Sequence, residues 1–270
     1  IFIGMIFVLF CMVLIMPSEE YETVNYDIPN MRDYYTHIKG DGEDKVTLMV
    51  YMVGSDLESD GGAASEDIAE MTAANADNIN ITLQTGGAAA WENASISDGK
   101  TERHIIKNGE LQNVANLGET QMTSPNTLTD FIKWSASNYP ADRYELLLWN
   151  HGGGTALGFG YDEMYPDDML SLSQIGNALS YSGIKFDIVG FDACLMGTIE
   201  TAYMLEPYAD YLVASEEYEP GTGWYYSEWL KNLSDNTSMP TVEIGKKIVE
   251  DYINGPDSSF FDSNTLSIVD

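Results

Sequence analysis

The sequence predicts an α/β fold, a mostly parallel central sheet with helices packed on both faces. Three observations carry this. The runs "KVTLMVYMVGS" (45–55), "YELLLWN" (144–150) and "FDIVGFDA" (186–193) are almost continuously apolar, as strands buried on both sides must be, whereas a sheet with one wet face would alternate. Stretches of helical spacing separate the strand-like runs. Strand–helix alternation of this kind implies right-handed crossovers and parallel pairing.

The elements follow in order. Residues 17–44 are polar and acidic, contain Gly40 and Gly42, and read as a linker. The folded domain then runs from 45 to 270. After the first strand, residues 59–76 predict a helix, with Ile68 and Met71 on one face and Ser65 as a candidate cap. "NINITLQTGG" (78–87) is a second strand. Residues 101–117 form a hairpin turning at Asn108-Gly109, a dipeptide suited to the two left-handed positions of a tight turn. Residues 124–140 form a helix with Ser124 as its cap, Pro125 in the first turn, and Leu128, Ile132 and Ser135 along one face. Strand 144–150, helix 171–182 and strand 186–193 come next. A helix over 197–205, a strand over 211–217, and helices near 224–233 and over 241–254 complete the pattern. The final "TLSIVD" reads as a further strand, interrupted by the end of the sequence, and both ends of the chain are expected to be truncated.

Composition narrows the function. The chain has 270 residues, 44% hydrophobic and 11% aromatic, which is globular rather than disordered. It carries 12 Lys and Arg against 43 Asp and Glu, a formal charge of −31. A phosphate backbone would be repelled, so nucleic acid is excluded as a partner. The acidic excess is either a solvated, secreted-type surface or in part a means of attracting cations. Residues 1–16, "IFIGMIFVLFCMVLIM", are uncharged and read as a signal peptide or a membrane anchor, with a buried core helix as the remaining alternative. Membrane contact is expected through this segment alone, and the location is secreted or cell-surface. Cys194 is the single cysteine outside that run, so an intradomain disulfide is impossible and an unpaired thiol needs a reason.

That reason lies in spacing. Parallel strands share one carboxyl edge, where ligands and catalytic groups collect. "WNHGGG" places His151 at the end of one strand, and "FDACLMG" places Cys194 at the end of the next. Neighbouring strands lie about 4.8 Å apart, close enough for the two side chains to meet across a substrate. Either residue alone is as readily structural, a turn histidine or a buried thiol. Together at matching strand ends they read as a nucleophile and its acid/base partner. The glycines after His151 admit a substrate carbonyl to the backbone, and the amides of Gly152 and Cys194 are candidates for an oxyanion hole. The phosphate-loop patterns GxGxxG and GxxxxGK[ST] are absent.

These stretches, with "VTLMVYMVGSDLES", "GFGYDE", "LSLSQIGNAL" and "VASEEYEPGTGWYY", resemble the clostripain family of cysteine peptidases. Gingipains, legumains, separases and caspases are distant relatives in the caspase-like clan. The resemblance covers residues 45–270. It implies a caspase-like three-layer α/β/α sandwich and an endopeptidase that cuts polypeptides after Arg or Lys, with His151 and Cys194 as the pair. A cationic P1 side chain needs a carboxylate in its pocket. Asp192, two residues before Cys194 and on the same side of the strand, is the candidate, unless it is a structural strand-end aspartate. Ser215, Glu216 and Glu217 at the next strand end, and Trp224 beyond, are candidate walls.

No cofactor is required by this reading. Calcium dependence is known in the family, and Asp162 and Glu163 are the candidate ligands, though "YDEMYPDD" lacks the DxDxDG pattern. Relatives are often activated by self-cleavage between the histidine and the cysteine. Here that stretch holds one basic residue, Lys185, directly before a core strand. Arg32, Lys39 and Lys45 are better-placed targets. The rival readings keep the same pair with another P1 preference or a transpeptidase activity, or make the chain a non-catalytic surface-binding module.

Overall fold

The computed structural model describes residues 37–255 and 264–270. The apolar segment 1–16, most of the linker and Arg32 lie outside them. The elements are β1 (Val46–Val53), α1 (Ser55–Ser59), α2 (Ala63–Ala73), β2 (Asn80–Gly86), β3 (Thr101–Lys107), β4 (Glu110–Gly118), α3 (Pro125–Asn138) and β5 (Arg143–Trp149). There follow α4 (Gly154–Leu157), α5 (Leu172–Ser182), β6 (Phe186–Asp192), α6 (Ile199–Leu205), β7 (Ala209–Ala214), α7 (Tyr226–Asp235), α8 (Thr241–Asn254) and β8 (Ser267–Val269).

One eight-stranded sheet has the order β4-β3-β2-β1-β5-β6-β7-β8. The middle five strands run parallel. The β3–β4 hairpin adds antiparallel at one edge and β8 at the other. Every residue of β1, β5 and β6 is buried, which is why these strands read as unbroken apolar runs. Alternation splits the core in two. Along β5, Leu147 and Trp149 face one layer with Ile68 and Met71 of α2, Trp229 and Leu230 of α7, and Ile244 and Ile248 of α8. Leu146 and Leu148 face the other, with Leu128 and Phe131 of α3 and Ile175 and Leu179 of α5. Each such side chain contributes about 1.5–3 kcal/mol by leaving water, and a sheet covered on both faces is the three-layer sandwich.

Local chemistry sets several boundaries. Asn108 and Gly109 both have positive φ, 53° and 68°, the geometry of a type I′ turn. Ser171 and Gln174 form a reciprocal capping box that starts α5. Three expectations change. Residues 59–76 are not one helix, because Gly62 has φ 68° and separates α1 from α2. Ser65 is not a cap: its N–H and hydroxyl both donate to the buried Glu58 carboxylate (2.8 and 2.5 Å), which serves the start of α2 from the preceding helix. Ser124 holds the cap position of α3 but its side chain makes no capping bond.

Candidate active site

The register of the central strands brings the predicted pair together. Trp149 of β5 pairs with Asp192 of β6, and two residues further on come His151 and Cys194. Both line a cavity of about 280 Å³ at the carboxyl edge of the sheet, with Trp149, Asn150, Asp192, Glu219 and Gly223. A larger groove of about 480 Å³ lies by Lys185, Tyr203 and Asp210, near the opening ends of β6 and β7. It contains neither the thiol nor an imidazole, so its size says nothing about the chemistry.

The loop carrying His151 is tied down from several sides. Asn150 donates through Nδ2 to Val53 O and to Ser55 Oγ (2.8 Å), and its Oδ1 accepts from Tyr161 N–H. The ends of β1 and of the loop after α4 thus fix the backbone beside the histidine. His151 Nε2 meets Asp56 Oδ1 at 2.8 Å. Burial would raise the Asp56 carboxyl, but the hydrogen bond and charge of His151 outweigh it and hold the group below its usual range. With Asp56 accepting from Nε2–H, Nδ1 is left for proton exchange.

The glycines have a geometric reason. A Cβ on Gly152 would lie 2.0 Å from the carbonyl oxygen of Cys194, so the two strand ends touch through backbone there. Gly152 opposes Phe159 in an isolated antiparallel bridge whose hydrogen bonds run from Gly153 N to Gly158 O and from Gly160 N to His151 O. Gly152 therefore occupies the position whose own N–H points away from the bridge. Cys194 is half-buried, and its sulfur accepts from Glu219 N–H at 3.3 Å. Leu195 follows with φ 63°, a conformation that a branched residue adopts under constraint and that turns the chain sharply after the thiol.

Below the thiol sits a cluster of acids. Asp192 Oδ2 accepts from Tyr226 OH (2.7 Å) and Trp224 N–H (3.2 Å). Asp67 Oδ2 accepts from Trp149 Nε1–H at 2.6 Å. Gly223, with φ 62°, passes between Asp192 and Asp67, and a Cβ there would lie 3.0–3.1 Å from oxygens of both. Both carboxylate oxygens of Glu219 are buried without a completed hydrogen bond, as is the Trp224 indole N–H beside them. Burial pushes Asp192 up to about 6 against its two hydrogen bonds. Burial and then the neighbouring Asp192 raise Glu219 and Asp67 well above the carboxylate range.

Other expected wall residues fall elsewhere. Strand β7 stops at Ala214, so the wall moves downstream to Glu219–Gly223. Ser215 is buried, its hydroxyl bonded to Glu217 O (3.0 Å) and paired with Thr265. Glu216 is exposed and accepts from Ser267 (2.6 Å), and Glu217 O accepts from Leu195 N–H (2.9 Å). Trp224 is core, its ring against Gly190, and it touches the site through its backbone N–H on Asp192 and its indole beside Glu219. Asp162 is fully buried and accepts from the amides of Met122 (2.7 Å) and Met164 (2.9 Å), while Glu163 accepts from Ala89 N–H (2.8 Å). Both carboxylates are thus engaged in folding the loop, and no group of three or more His, Cys, Asp or Glu side chains among the described residues is arranged for a metal. Asp56, Asn150, Asp67 and Glu219 escape the sequence reading. Asp56 lies just past β1, so the strand-edge rule applied to that strand would have found it. Glu219 and Asp67 carry no such mark.

Comparisons with known proteins identify the family. The clostripain family model matches residues 50–270. Clostripain of Hathewaya histolytica is 31% identical over 221 residues, covering 68% of this chain. The chain spans 41% of that relative's length. Among solved structures, a secreted C11 cysteine protease of Bacteroides thetaiotaomicron, in complex with an irreversible peptide inhibitor, superposes with a TM-score of 0.67 at 22% identity. The match covers 83% of this chain and 65% of that one. An inactive zymogen C11 protease of Parabacteroides distasonis gives 0.62 at 22% identity, covering 83% and 61%. At these identities the structures speak for the fold.

Proposed function

The chain belongs to the clostripain family of cysteine peptidases, and from that premise we propose that it is an endopeptidase cleaving peptide bonds after Arg or Lys. The observation that carries this is one cavity with a thiol and an imidazole at its mouth and two carboxylates, Asp192 and Glu219, in its wall. A buried carboxylate lacking a donor stabilises nothing until a cation arrives, and a P1 guanidinium or ammonium is that cation.

The residues act as follows. Cys194, as thiolate, attacks the scissile carbonyl carbon, and the carbonyl electron pair moves to an oxyanion held by the amides of Gly152 and Cys194. Protonated His151 gives its proton to the leaving amine as the C–N bond breaks, leaving a thioester. Water then attacks the thioester and His151 takes its proton. The C–S bond breaks, freeing the acid and the thiolate. Asp56 orients the imidazole through its hydrogen bond to Nε2. These steps use protein groups and water. The same proposal places the enzyme outside the cell, as a secreted or surface protein acting on polypeptides. Supporting this are the uncharged first 16 residues and the secreted neighbour.

A panel of peptide amides with Arg, Lys, Asp, Asn or citrulline at P1 tests the reading, with Cys194→Ala as control. Release after Arg or Lys, abolished in the alanine variant, is expected. Turnover surviving Cys194→Ala refutes the assignment, and a preference for Asp or Asn refutes the basic pocket.

A further inference from the structure

Resting on the basic-P1 reading, we infer that Asp192 and Glu219 form a carboxyl–carboxylate pair that holds a proton in the empty pocket and gives it up when a cationic P1 side chain enters. Recognition is then an exchange of one proton for one guanidinium or ammonium group.

The geometry requires something of this kind. Asp192 and Glu219 line the same cavity and act on each other by charge and hydrogen bonding, yet both Glu219 oxygens are buried without a completed hydrogen bond, and the Trp224 indole N–H beside them is unpaired too. Two ionised carboxylates offer four lone-pair edges and no hydrogen, so a bond between them exists only if one carries a proton. Asp192 is 4% exposed, and two unscreened negative charges at contact in such a site would be costly. Among the described residues the surroundings supply no countercharge. Asp67 faces the pair from α2, with Glu70 and Glu66 beyond it, Tyr226 faces it from α7 and Tyr252 from α8. Cys194 and His151 stand at the cavity mouth. No lysine or arginine is among these groups, so the proton is the cation that neutralises the empty pocket.

The direction follows from linkage. The carboxyls of the empty pocket are raised, Asp192 to about 6 and Glu219 well above the carboxylate range, so the pocket holds its proton to higher pH than a free carboxyl does. An entering cation favours the ionised form and lowers them, so the proton leaves. Affinity for a basic P1 residue therefore increases with pH, by about tenfold per unit while the empty pocket keeps its proton. It levels off once that proton is lost in the free enzyme as well.

The test is calorimetric titration of the Cys194→Ala enzyme with peptides carrying P1 arginine or neutral citrulline. Buffers of different ionisation enthalpy are used between about pH 5 and 8. The expected result is release of about one proton per arginine peptide, with affinity rising with pH. The citrulline peptide, which also accounts for any titration of His151, should show neither. In a Glu219→Gln variant the arginine peptide should bind without proton release. Tighter binding of arginine than citrulline with no proton release at any pH overturns the inference and leaves the basic-P1 reading standing. Equal binding of the two peptides overturns that reading, and the inference with it. Release persisting in Glu219→Gln removes Glu219 from the pair.

Discussion

Asp56 and His151 form their bond at the rim of the site, where both side chains keep substantial exposure, 48% and 39%. Such a pair adds little to stability, so its value lies in orientation, one ring nitrogen held and the other presented. Asp56→Asn is expected to lower kcat by about 10- to 100-fold with little change in KM or melting temperature. Steady-state kinetics with an arginyl amide would check it, and a rise in KM alone would count against an orienting role. Gly152 makes the opposite kind of contribution. With a Cβ position 2.0 Å from Cys194 O, Gly152→Ala must push the strand ends apart. A displacement of about 1 Å suffices for a loss of about 100-fold in kcat. The measurement is kcat alongside thermal unfolding, and near-normal turnover would exclude Gly152 from the oxyanion site.

At the scale of elements, β5 and β6 act as two rails of fixed register. Trp149 against Asp192 determines that the next outward residues are neighbours. The chain between the rails is held to its surroundings. Its loop is pinned by the Phe159–Leu170 bridge and by Glu163 N–H donating to Gly87 O at 3.0 Å. Lys185, the basic residue between His151 and Cys194, lies against Asp210 (3.5 Å) and donates to Ala209 O (3.1 Å), with its side chain 14% exposed. A protease cannot extend a segment held in this way without unfolding the start of β6. The purified protein is therefore expected to stay uncut across residues 155–184. Intact-mass analysis resolving two chains split there would contradict this.

For the molecule as a whole, the opening ends of the strands carry the folding chemistry, opposite the site. Arg143 is fully buried with Asp187 at 2.7 Å and also donates to the carbonyls of Thr237 and Met239, joining β5 and β6 to the segment before α8. Glu145 lies beside them, 1% exposed with Oε1 unbonded. Burial raises it to about 7 although Arg143 opposes. The folded state thus holds a proton that the unfolded chain releases near its ordinary value. The contribution is complete at pH below about 4.5 and is lost as pH rises through about 7. Glu145→Gln removes this dependence, so above neutral pH it should stabilise the protein by on the order of 3 kcal/mol. The gain should vanish towards pH 4. Denaturant unfolding at about pH 5 and 8 measures it, and an equal effect at both would show that ionisation of Glu145 is not its cause.

The sequence by itself determined the sandwich, the strand-by-strand order of elements and the neighbouring strand-end positions of His151 and Cys194. These follow from period and from the shared edge of parallel strands, which are local patterns repeated along the chain. It misjudged where α2 begins and where β7 ends, because Gly62 and the closing turn at Ser215 act through their neighbours in space. Asp192 was legible as an acid beside the thiol. Its company was not: Asp67 lies 125 positions away on a helix and Glu219 in an irregular loop, and they meet because α2 and α7 pack on the sheet face to which Ile188 and Asp192 of β6 point. Burial is what raises these ordinary acids above the carboxylate range, and burial is a property of the assembled layers. The tertiary structure alone therefore decided which acids share the cavity and how far burial shifts them, while the sequence had already placed the thiol and the imidazole at its mouth.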